Sequence, residues 1–148
     1  MNMIILLDAG PLGMITNPQA SPANQECFQW LVSMIVRGIH VYVSEIADYE
    51  VRRELLRAGK KRGIARLDIL KNTIGYRPIT TPIMLKAAEL WAQARNNGQP
   101  TADPKALDCD VILAAQALMV KGVVATVNVG HLSRFVDARN WRDIKATE

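Results

Sequence analysis

Met3-Ile4-Ile5-Leu6-Leu7, followed at once by Asp8-Ala9-Gly10-Pro11, is the stretch on which the fold turns. Five apolar side chains in succession cover both faces of an extended segment. That is the pattern of a strand buried on both sides in a parallel sheet. Asp8 ends the run. Asp-Ala-Gly-Pro is good turn chemistry, so one local reading of Asp8 is a turn residue. The other places it on the carboxyl rim of the sheet, where open α/β folds keep their chemistry.

Downstream, residues 22–37 show helical periodicity through Cys27, Phe28, Leu31, Val32, Ile35 and Val36, with Gly38 as the stop. Residues 39–43 read as a second strand, and Ser44 as the N-cap of a helix reaching about residue 58, before Gly59. Lys60-Lys61-Arg62 reads as a basic turn, residues 64–74 as a helix and residues 76–80 as a weak strand. Thr81-Pro82 and Asp103-Pro104 repeat one signature, a capping residue followed by proline at the first helical position. The first of these helices carries Leu85, Ala88, Trp91 and Ala92; the second runs to Val120 and stops at Gly122, with a polar loop at residues 96–101 between them. Residues 123–127 form a last apolar strand ending at Asn128, and residues 131–144 show no clear period, with Leu132, Phe135, Trp141 and Ile144 as packing residues. This alternation predicts one α/β domain over residues 1–148, a three-layer α/β/α sandwich with a central, mainly parallel sheet.

A chain of 148 residues, 49% hydrophobic and 22% charged, is long enough and apolar enough to bury a core rather than remain disordered. Its net charge of +4 permits a polyanionic partner without requiring one. Cys27 and Cys109 both fall in apolar-periodic stretches, which suits core packing and excludes a disulfide framework. Asp8 interrupts the first apolar run before it reaches signal-peptide length, and the run at residues 111–120 contains Gln116 and is too short to span a bilayer. The expectation is a soluble cytoplasmic protein with no membrane association.

The carboxylates carry the chemistry. Asp8 and Asn128 each follow an apolar strand. Glu50 lies over Ile46 and Ala47, which suits a site or a boundary, whereas Glu54 with Arg53 and Arg57 fits a solvated salt-bridge face. Asp110 sits on a face continued by Leu113, Ala114 and Ala117, where an acid is costly to bury without a positive partner. Asp108 is about 200° away around the helix, at ~100° per residue, and so points elsewhere if the helix is regular. Asp103 shares a face with Asp110 but is also the expected cap. Oxygen-only ligation suits Mg2+ or Mn2+, and with His40 and His131 the sole histidines a zinc site is disfavoured. No Ser/His/Asp arrangement, phosphate loop or dinucleotide-binding glycine loop is present. Carboxylates around magnesium are common hardware for phosphodiester hydrolysis.

Four segments then resemble the PIN-domain nucleases, a family that includes the VapC-type toxins of toxin–antitoxin pairs. They are Ile5-Leu6-Leu7-Asp8, Ser44-Glu45-Ile46-Ala47-Asp48-Tyr49-Glu50-Val51, Asp110-Val111-Ile112-Leu113-Ala114-Ala115-Gln116-Ala117, and Ala125-Thr126-Val127-Asn128 followed by His131-Leu132 and Phe135. Their order and spacing cover nearly the whole chain. The resemblance implies a Mg2+- or Mn2+-dependent endoribonuclease that hydrolyses RNA, the toxin of a type II pair, with a small antitoxin partner and a homodimeric state. By the same likeness Asp8, Glu50 and Asp110 match the metal-binding catalytic acids. Asn128 stands where many members have a fourth acid; it removes a negative charge and keeps one oxygen ligand. Thr126 is then a hydroxyl donor at the site edge and Asp108 a candidate to compensate for Asn128. Arg52, Arg53 and Arg57, with Lys60, Lys61 and Arg62, are candidates for RNA or partner contact, against a solvated basic face for any one of them.

Two rival expectations remain. A catalytically weak PIN-fold protein that binds RNA or a partner is favoured by Asn128, and a magnesium-dependent phosphatase or receiver-like domain is disfavoured because no Asp-x-Asp-x-Thr follows the first strand. The spatial expectation is that the carboxylates of Asp8, Glu50 and Asp110 converge on one point, with Glu45 as the replacement should Glu50 turn away.

Overall fold

β1, Ile4–Leu7, is the middle strand of the sheet in the computed structural model, which describes residues 3–98 and 104–146. It pairs on one side with β2 (His40–Ser44) and on the other with β4 (Val123–Thr126). β3 (Tyr76–Arg77) lies beyond β2 and β5 (Ala138–Asn140) beyond β4, giving the order β3-β2-β1-β4-β5. Every pairing is parallel. The helices are α1 (Ala9–Thr16), α2 (Pro22–Val36), α3 (Glu45–Arg57), α4 (Lys61–Ile74), α5 (Thr81–Asn96), α6 (Pro104–Met119) and the short α7 (Val129–Leu132). A 3₁₀ turn, Trp141–Asp143, follows β5.

Ile5, Leu6 and Leu7 are wholly buried because alternate side chains enter two different cores. Leu6 and Val124 pack with Leu90, Leu107, Val111 and Leu132 on one face. Ile5 and Leu7 pack with Leu12, Leu31, Ala47, Leu67 and Trp141 on the other. The sandwich therefore has three layers, with helices on both faces of a parallel sheet. No helix among the described residues is long and apolar enough to cross a membrane.

Several local expectations are corrected. Asp8-Ala9-Gly10-Pro11 is no turn: Asp8 caps α1, and Pro11 falls in its first turn, where a missing N–H costs nothing. The cap of α5 is Thr80, one residue earlier than expected, its hydroxyl accepting from Ile83 N–H at 3.4 Å. That helix buries Ile83, Ala87, Leu90 and Ala94, while Leu85, Ala88, Trp91 and Ala92 are exposed. Two apolar stripes compete on α5, and packing against α6 selects the one with smaller side chains. On α2 the stripe divides likewise: Cys27, Leu31 and Met34 face inward, and Phe28, Val32, Ile35 and Val36 remain exposed. Lys61 and Arg62 open α4 rather than forming a turn before it. β4 ends at Thr126, leaving Val127 exposed, and residues 138–140 add a fifth strand. The Asp103 cap expected for α6 lies outside the described residues, as do residues 99–101 of the expected loop.

Candidate functional site

The sheet grows in opposite directions from β1, toward β2 on one side and β4 on the other. At such a switch point the two connections leave in opposite directions and a crevice opens beyond the strand ends. Asp8 follows β1 there and Thr126 ends β4. Thr126 Oγ1 donates to Asp8 Oδ2 at 2.8 Å, while Ala9 N–H donates to Asp8 Oδ1 at 2.7 Å. The buried Thr126 hydroxyl in turn accepts from Asn128 N–H at 3.0 Å. Both Asp8 oxygens are thus oriented by the fold, at the N-terminus of a helix that favours negative charge. Gly10 permits this approach, since a Cβ there would lie 2.8 Å from Val127 Cγ2.

Glu50 comes from α3 and Asp110 from α6, and both are half-buried. Burial, then repulsion from Asp8, pushes Glu50 up to about 7; Asp110 adds to the repulsion, and Arg53 and a hydrogen bond from the Cys109 thiol oppose it. Asp110 rises to about 6, first through burial and then through Asp8, against the attraction of His131 and Arg134. The three acids therefore act on one another as a single electrostatic site.

Among the described residues, however, no three His, Cys, Asp or Glu side chains are arranged to hold a metal ion. Asp8, Glu50 and Asp110 thus do not form the metal-ready cluster that their expected convergence on one point describes. In donor chemistry the set does fit a hard divalent cation. It offers three carboxylates, and for Glu50 and Asp110 the burial and repulsion that raise their affinity for protons are what a bound cation would offset.

The remaining candidates separate clearly. Asp108 is exposed and contributes to the charge around Cys109 rather than around Glu50 or Asp110. Asn128 is exposed at the start of α7 and makes no side-chain cap; it is its backbone N–H that supports Thr126. Arg52 is held by Asp48 at 3.0 Å and Asp68 at 2.7 Å, strapping α3 to α4, and Arg57 pairs with Glu54 on the surface. Arg53, over the Tyr49 ring at 5.1 Å, is the member of that trio whose charge acts on Glu50. Glu45 Oε1 accepts from Ile79 N–H at 2.6 Å, so it anchors the segment after β3. His131 falls in a segment that resembles the PIN-domain family, whereas nothing local in the sequence marks Arg134 as a site residue.

No protein-family model matches the sequence, and no curated protein matches it. Solved structures do. A chain of VapBC2 from Rickettsia felis, bound to a DNA fragment from their promoter, is similar with a TM-score of 0.73 at 15% identity, over 94% of this chain and 99% of that one. FitAcB from Neisseria gonorrhoeae gives a TM-score of 0.70 at 24% identity, over 95% of this chain and 99% of that one. VapBC-1 from nontypeable Haemophilus influenzae gives 0.70 at 16% identity, over 95% and 100%. Likeness at these identities speaks to architecture, and with the all-parallel sheet and its central β1 it establishes that this chain has the PIN-like fold.

Proposed function

We propose that this protein is a divalent-metal-dependent ribonuclease and the toxin of a toxin–antitoxin pair. The observation that carries the reading is the mutual electrostatic coupling of Asp8, Glu50 and Asp110 beside the switch point of a PIN-like sheet. Asp8, Glu50 and Asp110 would hold Mg2+ or Mn2+, with Asn128 at the rim. When bound, such an ion supplies Lewis acidity and a water ionisable near neutral pH. The chain's own residues do the positioning. Thr126 fixes Asp8; Glu50 and Asp110 would be held ionised by a bound cation; and Arg53, His131 and Arg134 place positive charge near the acids for an RNA phosphate.

An antitoxin and a second copy of the chain belong to the same proposal. The similar structures are VapBC and FitAB complexes, and exposed Phe28, Val32, Ile35 and Val36 on α2 with Met84, Leu85 and Trp91 on α5 leave apolar faces for partner chains. The test is cleavage of single-stranded RNA with added Mg2+ or Mn2+. Asp8→Asn is expected to abolish cleavage with the far-UV circular dichroism retained. RNA that binds but is never cut would favour instead a catalytically weak RNA-binding protein, the reading suggested by an exposed Asn128 in place of a fourth acid.

A further inference from the structure

A cavity of about 660 Å3 lies between α1, α3 and the turn into α4. It begins at Val51, the residue after Glu50, and is walled by Gly13 of α1, the helix that Asp8 caps. The groove thus shares α1 and α3 with the acids, although none of Asp8, Glu50 and Asp110 lines it. The C-terminal end of α3 lies about 10 Å further on, at 1.5 Å of rise per residue from Glu50 to Arg57. There the lining becomes basic, with Lys60, Lys61 and Arg62 and no Asp or Glu anywhere along the groove. Among the described residues none of these three is in an ion pair, in contrast to Arg52 and Arg57. Lys60 gives α4 no side-chain cap, so the first-turn N–H groups of that helix add positive potential at the same end. Half-buried Val51 and Leu55 supply an apolar floor, and a Cβ built on Gly13 meets nothing within 4 Å, which marks open space.

We propose that this groove holds the sugar–phosphate backbone of single-stranded RNA, an inference that rests on the ribonuclease reading. The uncompensated cations of Lys60, Lys61 and Arg62 in a lining without Asp or Glu suit backbone phosphates that no metal serves. The groove's width and its apolar floor accommodate sugars and bases without reading their sequence.

The test measures binding of a labelled single-stranded RNA of about 12 nucleotides by fluorescence anisotropy in EDTA, where no metal-dependent cleavage occurs. Two variants act independently: the triple change Lys60→Gln, Lys61→Gln, Arg62→Gln removes charge, and Gly13→Phe fills the groove and leaves the charge intact. Both are expected to weaken binding roughly tenfold at moderate salt, and the triple variant to lower the slope of log K against log[salt] by about 2, at ~0.7 per phosphate contact. Unchanged affinity in both overturns the groove, and if the wild type still cuts RNA with Mg2+ the ribonuclease reading survives alone. Weakened binding with a wild type that never cuts leaves the groove standing and removes the nuclease. Loss in the triple variant without loss in Gly13→Phe overturns the proposal in favour of diffuse attraction to an exposed turn. Displacement of RNA by polyglutamate, with the triple variant losing polyglutamate more than RNA, overturns it in favour of an acidic protein segment.

Discussion

Thr126→Val removes a hydroxyl and changes almost nothing in volume, and it leaves both Asp8 Oδ2 and Asn128 N–H without a partner. Because Thr126 is wholly buried, the expected loss is about 1–3 kcal/mol in urea unfolding, with most of it restored by Thr126→Ser. A neutral result would mean that Asp8 is not positioned by this hydroxyl. Glu50 and Asp110 set a pH dependence. Folded, they titrate at about 7 and about 6; their ordinary values are 4.5 and 3.8. Between those limits the folded chain holds more protons than the unfolded one. Stability is therefore greatest in acid and falls as pH rises through 6 and 7. For groups this exposed the change is on the order of 1 kcal/mol. Thermal melts of metal-free protein should show it, and Glu50→Gln should flatten roughly half of it; a melting temperature that climbs from about pH 5 to about pH 8 would contradict the assignment. At the proposed metal site Mn2+ would have to displace the same protons, so its affinity, read by calorimetry, is expected to rise roughly tenfold or more across this window.

At the scale of elements, the contact between the start of α1 and the end of β4 is the sensitive one. Gly10→Ala places a methyl group against Val127 and is expected to cost about 1–3 kcal/mol, with loss of RNA cleavage as Asp8 and Thr126 separate. Adding Val127→Ala should recover much of both; a double variant no better than the single would show that the cost arises elsewhere. Legibility in the sequence follows the same division. β1, β2 and β4 are apolar runs, α2 carries helical periodicity, and α3 and α6 carry capping and stop signals, so these elements are readable from the sequence pattern. α1 was hidden because Gly10 and Pro11 resemble a turn until Asp8 is recognised as a cap. β5 was hidden because Ala138-Arg139-Asn140 has no apolar run; its pairing with β4 supplies what its side chains lack. Asp8, Glu50 and Asp110 stand out as candidates by their places at a strand end and on apolar helix faces, and only the likeness to the PIN-domain nucleases joins them as a set. The positive charges around them were not legible, since His131 and Arg134 reach Asp110 only through the packing of α7 on α6.

For the whole molecule, the tail is a fastening as well as an edge. Trp141 is 2% exposed, its ring stands 5.9 Å from that of Trp30, and Trp30 Nε1 donates to Ile144 O at 3.1 Å. Trp141→Ala should cost about 3–5 kcal/mol in denaturant unfolding. A cost under about 1 kcal/mol would mean that the tail docks without it. The bond between Thr126 and Asp8 has a temporal consequence as well, because it joins residues 118 apart in sequence. A nascent chain emerging from the ribosome presents Asp8 and then Glu50 long before Asp110 and Thr126 exist to meet them. Since β1 is the central strand and β4 is one of its two neighbours, the acid site is completed only when most of the protein has been synthesised. On the proposed ribonuclease reading, an unfinished copy is therefore inert while it is still being translated.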